Sequence, residues 1–115
     1  MGNWQDKTDT EINSAVKLVL ISKHEKETDF DKFFLNILID SDLDFCNNPA
    51  FSWPIMTENG IAPLAENGRI YGATTDTYEY YEPHGNKIYS HEDKNPLRAA
   101  MIVYLMMNEV NNATN

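Results

Sequence analysis

Hydrophobic positions along the chain change period from helix to strand and back. Thr8-Asp9-Thr10-Glu11 has the spacing of a capping box, and Ile12, Ala15, Val16, Val19 and Leu20 follow at i, i+3, i+4, i+7 and i+8. This predicts an N-terminal helix that buries one face and ends in the polar run Ser22 to Asp29. From Phe33 to Ile39 nearly every position is apolar, so that segment fits a strand buried on both faces or a short helix. Asn47-Asn48-Pro49 then reads as a stop and restart. A short helix through Trp53, Ile55 and Met56 is expected, limited by Pro54 to about two turns and closed at Asn59-Gly60.

Beyond Gly60 the period becomes two, with Asn67-Gly68 and Pro83-His84-Gly85-Asn86 as turn signals. Three antiparallel strands are predicted: Ile61 to Ala65, Arg69 to Ala73 running on to Tyr81, and Lys87 to Ser90. Tyr71, Tyr78, Tyr80, Tyr81 and Tyr89 supply half-buried pleat positions. Asn95 as N-cap and Pro96 at the first helical position open the last element, an apolar core helix over Leu97 to Val110. The fold class implied is α+β, a small two-layer domain. A three-stranded antiparallel sheet is covered by an N-terminal helix, a short middle helix and a C-terminal core helix.

Composition narrows what such a domain can do. A length of 115 residues suits one domain, taken as 1–115 with an ordered core of about 8–110. The net charge of −9 disfavours binding to nucleic-acid phosphates or acidic lipid and favours a partner with a basic surface. The single cysteine, Cys46, precludes an internal disulfide and suggests a cytoplasmic protein. The most apolar window, Ala99 to Met107, is far shorter than the roughly 20 residues of a membrane span. Met1-Gly2-Asn3 has the start of a myristoylation signal, but Asp6 stands where Ser or Thr is needed.

Three blocks, DTEINSAV from Asp9, DFCNNPAFSWPIMTENGI from Asp44 and NPLRAAMIVYLMMNE from Asn95, together resemble the NinX family of lambdoid phages and prophages. The resemblance implies phage origin and expression in a host cell, but no activity. The order of elements also loosely echoes double-stranded-RNA-binding domains, whose basic surface this chain lacks.

No catalytic, cofactor or metal site is expected. Asp40, Asp42 and Asp44 have the rhythm of a calcium loop, but Phe45 and Phe51 stand where Gly and Glu are needed. His84 and His91 have no close ligand partner at zinc spacing. Cys46 lacks a nucleophile motif and reads as a buried thiol beside a helix start. The glycines are too scattered to cradle phosphate.

Four residues remain as candidates for partner binding: Asn47, Asn48, Trp53 and Arg98. For Arg98, the one cation of an apolar helix, the structural alternative is a salt bridge to Asp93 or another carboxylate. For the other three it is capping by one Asn with Trp53 in the core. The function expected is a non-catalytic phage accessory protein that binds a host or phage protein, for example in counter-defence or phage gene expression. An acidic DNA mimic and a small enzyme with an unrecognised site are the alternatives.

Overall fold

The computed structural model describes residues 4–24, 42–75 and 88–113. A short 3-10 turn, Trp4–Asp6, leads into α1, Asp9–His24. The capping box is made on both sides: the Glu11 N–H donates to Thr8 Oγ1 (3.1 Å), and the Thr8 N–H donates to Glu11 Oε1 (3.0 Å). Two of the four orphan amides of the helix start are thereby satisfied. Ile12 and Val16 are fully buried on the predicted stripe, with Ala15, Val19 and Leu20 packed beside them.

Helix α2 spans Pro49–Asn59, 11 residues or about three turns, where Pro54 had suggested two. The helix continues because the hydrogen bond Pro54 cannot make would have gone to the Ala50 carbonyl, and both residues lie on the solvent side. Asn48 is the N-cap, accepting from the Ala50 N–H at 3.0 Å, and Gly60 closes the helix in the left-handed region at φ 69°.

Strands β1 (Ala62–Glu66), β2 (Arg69–Thr74) and β3 (Ser90–Glu92) form an antiparallel sheet in that order. The third strand begins three residues later than the pattern suggested. Ile88 and Tyr89 do not join the sheet, although Tyr89 stays buried and exchanges bonds with Thr75. Asn67 and Gly68, at φ 53° and 78°, form the two-residue β1–β2 turn. The expected extension of β2 is seen as far as Thr74; the part of it beyond Thr75, the Phe33 to Ile39 run, Asp40, Tyr78, Tyr80, Tyr81, His84 and Lys87 lie outside the described residues.

Helix α3, Pro96–Ala113, lies across the sheet and also packs on α1 and α2. It supplies more of the core than any other element: Ala99, Ala100, Met101, Ile102, Val103, Tyr104, Leu105 and Met107 are buried against Ile12, Val16, Ile55, Met56 and Ala73. Burial of each large side chain contributes about 1.5–3 kcal/mol. Among the described residues no helix is long and apolar enough to cross a membrane.

Candidate functional site

The three sequence blocks meet where α1, α2 and α3 begin. At the centre is Arg98, in the first turn of α3. A cation there opposes the helix dipole and must be held by something else. Its Nε donates to Asp93 Oδ2 (2.9 Å) and its Nη1 to Asp9 Oδ1 (2.7 Å). Its Nη2 reaches the carbonyls of Lys7 (2.7 Å) and Gln5 (3.1 Å) and, at 3.5 Å, that of Trp4. The planar fork of guanidinium suits this divergent set of acceptors in a way an ammonium cannot.

From Arg98 the bonds run in a closed ring. Asp93 Oδ1 accepts from the Asn95 N–H, and the Asn95 side chain donates to Asn47 Oδ1. Asn47 Nδ2 donates to Asp9 Oδ2, and Asp9 returns to Arg98. Asn95 also caps α3, accepting from the Leu97 and Arg98 amides, and donates to the Cys46 carbonyl at 2.7 Å. Asn47 bridges to Asp44 as well, and Asp44 accepts from the Asn13 side chain, whose Oδ1 takes the Cys46 N–H.

The sheet also helps to place this ring. Between Leu64 and Ala65 the register of β1 skips one residue of β2, leaving Tyr71 unpaired on that side. The Tyr71 carbonyl accepts from the Asp93 N–H at 2.9 Å, which fixes the start of the turn that carries Asp93 and Asn95.

The electrostatics follow from these bonds. The Asp9 carboxyl is held below its ordinary range, first by the hydrogen bond from Asn47 and then by Arg98. For Arg98, burial works against the charge, but the hydrogen bonds to Asp9 and Asp93 outweigh it and raise the guanidinium further. The Cys46 thiol is pushed up to about 12 by burial and by the nearby Asp9 charge, so it is a poor nucleophile.

Acid should therefore loosen the fold in two stages. Burial lowers the His91 pKa, and the ring touches Gln5 Oε1. Below an ordinary value of 6.5 the unfolded chain takes a proton that folded His91 refuses, so stability falls as pH drops towards the folded value. Asp9 acts in a second window: its contribution is complete above 3.8 and is lost as pH falls through the lower folded value. Urea midpoints measured across this range should decline, with His91→Asn flattening the first window and Asp9→Asn the second. A profile unchanged by either substitution would contradict the assignment.

The four sequence candidates divide. Asn47, Asn48 and Arg98 are occupied within the fold, and Arg98 has the Asp93 salt bridge that was its structural alternative. Trp53 does not take the core position that the structural reading gave it. It is 53 % exposed, and Ile55 and Met56 point inward instead. Beside the ring lies a cleft of about 350 Å³ whose walls include Asp9, Asn13, Ser14, Lys17, Asp44 and Asn47. Among the described residues no group of three or more His, Cys, Asp or Glu is placed to hold a metal ion.

These features define a small α+β domain tied together by one partly buried arginine and a ring of Asp and Asn side chains. The family model described as Bacteriophage P22, NinX matches residues 5–108, and the chain belongs to that family. No curated protein and no solved structure matches the chain.

Proposed function

We propose that the chain is a non-catalytic protein-binding module of the infected or lysogenic host cytoplasm, acting on a host or phage protein through the outer face of α2. The observation that carries this reading is the exposure of Trp53. Pro49, Ala50 and Thr57 share its side of the helix at i−4, i−3 and i+4, and all are exposed. Leu18, Ile70 and Ile88 are exposed as well, but of these four side chains only tryptophan is among the commonest anchors of protein interfaces.

Charge supports a basic partner. Asp42 and Asp44 are exposed just before α2, Glu58 is exposed near its end, and the whole chain carries −9. A partner captured from infected cells and then purified should associate more slowly as salt rises, because screening beyond about 8 Å at physiological ionic strength removes the steering. An on-rate flat from low to high salt would remove the electrostatic part of the proposal.

A further inference from the structure

The sequence contains Asn-Gly twice, and the fold treats the two very differently. At Asn59-Gly60 the dipeptide closes α2. The Asn59 amide donates to the Ile55 carbonyl at 2.7 Å, and the Gly60 N–H donates to the Met56 carbonyl. At Asn67-Gly68 the dipeptide is the tip of the β1–β2 hairpin. Ladder bonding there ends at the pair Glu66 and Arg69, so the Gly68 N–H carries no rung of it. Every residue from Ala65 to Ile70 is exposed, and a Cβ built on Gly68 would meet nothing within 4 Å.

We propose that Asn67 is a site of spontaneous deamidation, and that Asn59 is protected from it by the α2 cap. The Gly68 nitrogen, losing its proton to solvent base, attacks Asn67 Cγ. The new N–Cγ bond closes a five-membered imide as the Cγ–Nδ2 bond breaks and ammonia leaves. Water then opens the imide at either carbonyl, giving aspartate or isoaspartate, with no change of oxidation state. The nitrogen must be free to attack, and the backbone must leave the left-handed turn for the ring to close. A tip with little buried surface opens at low cost, whereas opening the α2 cap pulls on Ile55 and Met56 in the core.

Isoaspartate would add a methylene to the main chain where Asn67 holds φ 53°, and either product adds a negative charge beside Glu66. With isoaspartate the two-residue turn would no longer close, whereas aspartate would keep it.

The test is peptide mapping by mass spectrometry after incubation of the folded chain in mildly alkaline buffer, with the urea-unfolded chain alongside. In the folded chain the Asn67 peptide should convert about tenfold or more faster than the Asn59 peptide, equivalent to about 1.4 kcal/mol in local opening. In urea the two rates should converge, and Gly68→Ala should slow the Asn67 reaction alone. Equal rates in the folded chain, or an Asn67 peptide that stays intact while the unfolded one converts, would overturn the proposal.

Discussion

Replacing Arg98 with alanine should cost about 3–5 kcal/mol of folding stability, the range for breaking a buried ion pair by removing one partner. The side chains of Arg98 and Asp93 are only 13 % and 12 % exposed, so the substitution strands a largely buried carboxylate. It also frees the Lys7 and Gln5 carbonyls and loosens the segment that brings Trp4 onto the core. Against a typical total of about 5–15 kcal/mol, such a loss brings the domain close to unfolding. Arg98→Lys should recover only part of it, because an ammonium keeps the charge but not the fork that spans Asp9, Asp93 and the carbonyls. Urea denaturation of the three proteins checks this. A loss below about 1 kcal/mol for Arg98→Ala would put the pair in the class of exposed salt bridges and refute the central role given to the ring.

The second large effect is expected at Gly72. It pairs with Glu92 of β3, and a Cβ there would collide with the His91 carbonyl oxygen and lie 3.0 Å from Glu92 Cα. Both obstacles are backbone, so no rotamer change relieves them. Gly72→Ala should therefore push β3 from β2 and cost about 1–3 kcal/mol or more, as overpacking does in a tight interior. Because β3 leads directly to Asp93, the same substitution should weaken the ring, and amide exchange at Asp93 and Asn95 should accelerate with it. An unchanged denaturation midpoint would show that the two strands separate freely.

Legibility in the sequence depended on whether a feature was local. The capping box at Thr8, a cap from one of the two Asn before Pro49, the N-cap at Asn95, the left-handed Gly60 and the Asn67-Gly68 turn were each readable because the residue and its partner lie within a few positions. The bridging role of Asn47 was not readable. Its partners, Asp9 and Asn95, lie 38 and 48 residues away in the chain. Nor was the grip of Arg98 on the Lys7 and Gln5 carbonyls, since a backbone acceptor leaves no mark on residue choice. The anomaly of a lone cation in the first turn of α3 was the signal available, and it correctly implied a partner such as Asp93. Trp53 misled because size and apolarity suggest burial. The helix offered Ile55 and Met56 to the same core, and one face of α2 cannot point all of them inward.

The proposed binding face is tested most directly by comparing the equilibrium affinity of wild type and Trp53→Ala for a purified partner, with stability measured in parallel. Because about half of Trp53 is buried, its removal should shift stability by about 1 kcal/mol. As the anchor of an interface it should cost at least about 2 kcal/mol of binding, roughly a thirtyfold rise in Kd. A folded variant that binds as tightly as wild type would contradict the account of α2 as the binding face.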